Sequence, residues 1–135
     1  MIVGIASGVT ETLLAAAAAA APHECCGLLL GRPCHVAAVV PARNVAADPA
    51  RSFEIDPATL LRVHREARGS GQQVVGHYHS HPNGVAEPSK RDAARAVVDG
   101  QLWVIIAGGT VTAWHLPPPS PQGEGRFRPL TLVAA

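Results

Sequence analysis

Apolar and polar positions change their period several times along this chain, and each change marks an element. Residues 1–6 read as a short first strand. Residues 7–21 follow as a helix, with Ser7 as its cap and seven consecutive alanines supplying helical propensity. Pro22 ends it, because a residue before proline avoids the helical region. The apolar run CCGLLLG (25–31) predicts a buried strand, and a turn near Arg32-Pro33 returns the chain as CHVAAVV (34–40). Residues 52–55 form a further short strand, with Phe53 and Ile55 on one face. Asp56-Pro57 opens a helix as cap and first-turn proline, and the helix runs to about Arg68, where Gly69-Ser70-Gly71 closes it. Val74 begins a strand that Pro82-Asn83-Gly84 ends. Ser89 then starts a helix continuing through AARAVVDG. LWVIIA (102–107) is a buried strand, Gly108-Gly109 is a hairpin turn, and residues 111–115 return antiparallel. The stretch PPPSPQGEG (117–125) is poor in anything that forms a core and reads as a flexible loop. Residues 126–133 make a last edge strand. No internal repeat is evident, and 135 residues suit one domain, 1–135.

Composition narrows the classes. Hydrophobic residues make up 47% and aromatics only 4%, so the core must be aliphatic. A net charge of +1 with scattered basic residues argues against nucleic acid as partner. No apolar stretch reaches membrane-spanning length, and no basic segment with a cleavage site precedes one, so no membrane role is expected. The three cysteines are odd in number and two are adjacent, which suits a reducing compartment, the cytoplasm, better than a disulfide framework. Cys25, Cys26 and Cys34 also lack the Cys-x2-Cys knuckle of a structural zinc site, and alternation points Cys25 and Cys26 to opposite faces, so those two read as small core residues.

The chemistry concentrates between Gly76 and Asp92, GHYHSHPNGVAEPSKRD. Strand alternation puts His77, His79 and His81 on one face, with Tyr78 and Ser80 on the other. Imidazoles at i and i+2 are close enough to converge on one ion. Ser89 is placed as an N-cap with Asp92 three residues on, as in a capping box. Imidazoles at a strand end and a carboxylate at a helix start form a cage with one position left for water, the arrangement of a catalytic zinc site. Glu24, at the lip of the first buried strand, reads by itself as a solvated edge residue. Beside a metal, the same carboxylate could take a proton from water and give it to a leaving amine. His64, inside its helix, reads as surface.

Taken together, Glu24, His79-Ser80-His81-Pro82 and Ser89-x-x-Asp92 resemble the signature of the JAMM (MPN+) zinc metalloproteases. HECCGLLLG (23–31), Asn44, and Phe53 with Asp56-Pro57 are similar to the family's connecting segments, and the resemblance covers roughly residues 1–115. It implies an α/β fold similar to cytidine deaminases: a curved mixed sheet flanked by helices, with zinc where a strand ends and a helix starts. It further implies that His79, His81 and Asp92 hold one Zn2+, that Glu24 is the general base, and that Ser89 stabilises the oxyanion. The implied reaction is hydrolysis of the amide bond after the C-terminal Gly-Gly of a ubiquitin-like protein of the sulfur-carrier type, its thin tail lying along a sheet edge by strand addition. His77 stands where the family pattern has a large aromatic. It is either an extra ligand or a packing residue that orients one. The alternative reading is a non-catalytic scaffold of the same fold that binds a protein partner. A zinc deaminase would require Pro-Cys-x-x-Cys, which the chain lacks. Monomer and homodimer both remain open.

Overall fold

The computed structural model describes residues 1–118 and 126–135. Seven strands and three helices follow one another as β1 (Ile2–Ile5), α1 (Val9–Ala20), β2 (Cys26–Arg32), β3 (His35–Ala42), α2 (Pro57–Arg68), β4 (Gln73–Ser80), α3 (Lys90–Arg95), β5 (Leu102–Ala107), β6 (Thr110–His115) and β7 (Arg128–Ala134). The strands close into a barrel in the order β1-β3-β2-β4-β5-β6-β7. The sheet is mixed: β1 runs parallel to both β3 and β7, β4 runs parallel to β5, and the remaining neighbours are antiparallel. None of the described helices is long and apolar enough to cross a membrane.

Barrel closure corrects the expected last edge strand. β7 is paired on both sides, with β6 through Leu130 to Arg128 and with β1 through Thr131 to Ala134. The site-bearing strand β4 is likewise flanked by β2 and β5, so it offers no free edge to which a substrate tail could add. Residues 52–55 also differ from expectation. They do not form a strand and make only an isolated bridge, Asn44 to Ile55. The loop expected over 117–125 lies, from residue 119 on, outside the described residues.

Local chemistry explains most element ends. Asp56 caps α2 by accepting the Ala58 N–H, with Pro57 at the first position. Helix α1 instead starts from Gly8, whose φ of 85° no residue with a side chain adopts cheaply, and Ser7 does not cap it. Helix α3 stops at Arg95 rather than continuing to 100. There the β-branched Val97 and Val98 give way to Asp99-Gly100, where Asp99 accepts the Gln101 N–H and Gly100 takes a φ of 76°, turning the chain into β5.

Two apolar layers result. Val9 and Leu13 of α1 pack into the main core with Val3, Ile5, Leu29, Val36, Val75, Tyr78, Val104, Ile106 and Leu130. Val75 and Tyr78 differ in parity yet share this core, because the β2–β4 register slips at Val75. The opposite face of β4 and β5 carries His77, His79 and Trp103, and α2 lies towards it. Cys26 is buried, and burial pushes its thiol up to about 12, which makes it an inert packing residue as expected.

Candidate metal centre and active site

The site forms where β4 ends against β5. His79 sits opposite Cys26 on one side and Ile105 on the other, and it is fully buried. His81 continues the pairing by donating its N–H to the Ile106 carbonyl at 2.9 Å. The chain then turns at Asn83-Gly84, with the Asn83 side chain accepting the Val85 N–H and Gly84 at a φ of 82°. That turn presents the Val85 carbonyl to His81 Nδ1 at 2.8 Å. Nδ1 therefore carries the proton and donates it there, leaving the Nε2 lone pair pointing inward.

Helix α3 supplies the third group. Ser89 Oγ accepts the Asp92 N–H at 3.0 Å, and Asp92 Oδ2 accepts the Ser89 N–H at 2.9 Å, a complete capping box. This fixes the Asp92 carboxylate 3.2 Å from His79 Nε2 and 3.1 Å from His81 Nε2, while the two Nε2 atoms are 3.0 Å apart. Four-coordinate zinc with bonds of about 2.0–2.1 Å separates its ligand atoms by roughly 3.3 Å, so this triangle has the dimensions of one tetrahedral face. Two imidazole lone pairs and a carboxylate this close repel unless a cation or a proton lies between them. The donor set fits a divalent zinc ion.

Glu24 completes the cluster from a residue 55 positions away from His79. One of its carboxylate oxygens and one ring nitrogen from each of His79 and His81 all lie within 4.8 Å of one another. The two strand ends are locked in register by Ser80. Its Oγ accepts the Cys25 N–H at 2.8 Å, and its own N–H reaches the Cys25 carbonyl at 3.1 Å. Glu24, His81 and Ser89 line one cavity of about 400 Å³ with Arg51, Lys90 and Arg91. Asp92 lines a second cavity of about 470 Å³ with Phe53, Leu60, His77, Arg95 and Trp103. The candidate residues from the sequence are thus brought together, and Ser89, besides capping, faces the same space as Glu24.

Electrostatics separate the acids. Burial pushes the Glu24 carboxyl up to about 7, with His81 pulling it down and Asp92 pushing it further up. Burial also opposes ionisation of Asp92, but His79, His81 and the Ser89 amide outweigh it and hold that carboxyl well below the usual range. The pair therefore offers one carboxylate that is ionised at neutral pH and one group able to exchange a proton near neutrality.

His77 lies on the face expected of it but not among the converging atoms. Its ring sits edge-on to Trp103 at 4.4 Å and 5.8 Å from His79, and its buried Nε2 has no hydrogen-bond partner among the described residues. Burial lowers its pKa to about 3, so it packs as a neutral ring. Three contributors were missed from the sequence: the lock made by Ser80, Phe53 stacked on His79 at 4.2 Å and 18°, and Asn44, whose amide holds the Glu24 carbonyl. A hydroxyl between two histidines that share a strand face, itself on the opposite face, was the available signal for Ser80.

Comparison with known proteins agrees with the motif. The family of prokaryotic homologs of the JAB domain matches residues 6–117. The chain is 33% identical over 95 residues to a desampylase of Haloferax volcanii, covering 68% of each chain. It is 34% identical over 96 residues to a probable TtuB-protein conjugate cleaving protease of Thermus thermophilus, covering 71% of this chain and 64% of that one. A solution structure of a Desulfitobacterium hafniense protein superposes with a TM-score of 0.82 at 27% identity, covering 100% of this chain and 93% of that one. The chain belongs to the prokaryotic homologs of the JAB domain, within the JAMM (MPN) family whose signature its Glu24, His79, His81, Ser89 and Asp92 carry.

Proposed function

We propose that the protein is a zinc-dependent isopeptidase or peptidase that hydrolyses the amide bond after the C-terminal Gly-Gly of a ubiquitin-like, sulfur-carrier-type protein. The supporting observation is the 3.0–3.2 Å triangle of His79, His81 and Asp92 beside a buried carboxylate of raised pKa. The names of the two relatives, one a desampylase and one a conjugate-cleaving protease, point to the same substrate class. In this reading His79, His81 and Asp92 hold the ion where β4 ends and α3 begins. Zinc held there supplies Lewis acidity to the scissile carbonyl and to a neighbouring water.

The chain's own groups do the rest. Glu24, ionised near neutrality, takes a proton from the attacking water and delivers it to the departing nitrogen. The hydroxyl of Ser89 accepts the Asp92 N–H, which leaves its own proton to donate to the developing oxyanion. Asp92 stays ionised throughout, and His81 keeps its orientation through the Val85 carbonyl. With β4 paired on both sides, a thin Gly-Gly tail enters through the cavity of Glu24 and Ser89 rather than by extending the sheet. The three cysteines are free thiols, which suits a cytoplasmic enzyme.

The test is turnover of a ubiquitin-like protein bearing an amide-linked group after Gly-Gly. Cleavage at that bond, lost on chelation and restored by zinc, is the expected result. A fully zinc-loaded protein that leaves every such conjugate intact would instead favour the scaffold reading.

A further inference from the structure

One side chain outside the motif touches both halves of the site. Asn44 follows β3, and its Nδ2 donates to the carbonyls of Glu24 at 3.0 Å, Ser52 at 3.0 Å and Pro49 at 3.5 Å. Its Oδ1 accepts the N–H groups of Ala46 at 3.0 Å and Glu54 at 3.1 Å. Three carbonyls on one end and two N–H groups on the other leave the amide a single orientation. Pro49, in turn, accepts the Glu24 N–H at 2.8 Å. Both backbone polar groups of Glu24 are therefore held by Asn44 or by a residue bound to it.

The same amide sets the loop across the site. Ser52 and Glu54 flank Phe53, and Asn44 binds both. Phe53 lies flat on His79, and the Arg95 guanidinium lies over the Phe53 ring, 5.4 Å from its centre. No strand holds this loop; besides Asn44, backbone bonds from Val45 to Glu54 and from Asp56 to Arg43 tie its return, the Asp48 carbonyl accepts the N–H groups of Arg51 and Ser52, and Arg95 donates to the Phe53 carbonyl and to Ser52 Oγ. A carboxylate at residue 44 would face three carbonyls, and an apolar residue would leave four of the five polar groups short of a partner, the Pro49 carbonyl keeping the Glu24 N–H.

We infer that Asn44 is a positioning residue for the hydrolysis, acting through Glu24: it fixes the carboxylate at the reacting water and holds Phe53 against the ligand His79. The inference rests on the proposed role of Glu24 as the proton carrier. A displacement of about 1 Å at a reacting group costs on the order of a hundredfold, which sets the scale for removing the tether.

A double-mutant cycle separates positioning from scaffolding. Asn44→Ala should lower kcat roughly 10- to 100-fold with KM changed by less than about threefold and zinc content unaltered. In the Glu24→Gln background the same substitution should change the residual rate by less than about twofold, because the group it positions is already gone. Amide exchange should rise at Ala46 and Glu54 while the barrel strands keep their protection. If Asn44→Ala does not fold, Asn44→Ser, which retains one hydroxyl donor, takes its place in the same cycle. Equal losses in both backgrounds, or exchange rising throughout the barrel, would overturn the inference. A Glu24→Gln enzyme as active as wild type would overturn the proposed function and the inference with it. An inactive Glu24→Gln beside a fully active Asn44→Ala would overturn the inference alone.

Discussion

Replacing Glu24 by Gln tests function and stability in opposite directions. The Glu24 carboxyl titrates near 7 in the folded chain against a reference of 4.5, chiefly because it is buried. The folded state thus binds this proton more tightly than the unfolded state, and the sign follows from linkage. Below pH 4.5 both states are protonated and the group contributes nothing. Between 4.5 and 7 stability falls as pH rises, and above 7 the full penalty applies. The 2.5-unit gap corresponds to about 3 kcal/mol, and under about 1 kcal/mol is already present at pH 5. Gln fills nearly the same volume without the charge, so the metal-free variant should be more stable than wild type by about 3 kcal/mol at pH 8. For a domain of this size that is roughly 10 °C in Tm. The assay is thermal unfolding of both chelated proteins at pH 5 and pH 8, alongside turnover of the zinc-loaded forms. Turnover should fall by roughly 10²- to 10⁴-fold in the variant. With zinc bound the stability difference should shrink, since a nearby cation favours the carboxylate. A difference independent of pH, or a wild type more stable than the variant at pH 8, would refute the account of Glu24.

Four further outcomes are expected. Zinc at a hundred times its Kd should stabilise the folded chain by about 2.7 kcal/mol, read as a rise of roughly 10 °C in Tm, and His79→Ala should abolish that rise. Ser89→Ala should lose the cap, about 1 kcal/mol of stability, and roughly 10²- to 10³-fold in kcat; a loss of stability with kcat unchanged would confine Ser89 to capping. His77→Phe removes a buried nitrogen that has no partner among the described residues, so zinc content and turnover should persist and denaturant stability should hold or rise by about 1 kcal/mol; loss of zinc would make His77 a ligand. Leu13→Ala, at a fully buried position where α1 enters the core, should cost about 2–5 kcal/mol, measured by denaturant unfolding.

Much of the site was legible because its signals are local. His79 and His81 share a strand face by parity, and Ser89 with Asp92 announces a helix start through the spacing of a capping box. Those rules act over a few residues, so they survive without knowledge of the fold. Glu24 was legible only through the family pattern, since nothing near it in sequence explains its burial. Barrel closure was not legible at all: β1 and β7 pair from opposite ends of the chain, and an edge strand and a closing strand share one hydrophobic pattern. Residues 52–55 alternate like a strand but are held by the side chain of Asn44, a partner that periodicity does not register. Ser7 lost the capping position because the turn from β1 requires a left-handed residue, and Gly8 adopts that conformation freely.

The most direct test of the central claim is zinc content measured together with turnover on wild type, Glu24→Gln and Asp92→Ala. The account predicts about one zinc per chain in wild type and Glu24→Gln, cleavage after Gly-Gly in wild type alone, and neither stoichiometric zinc nor cleavage in Asp92→Ala. Cleavage by Glu24→Gln at the wild-type rate, or full zinc retention by Asp92→Ala, would contradict it.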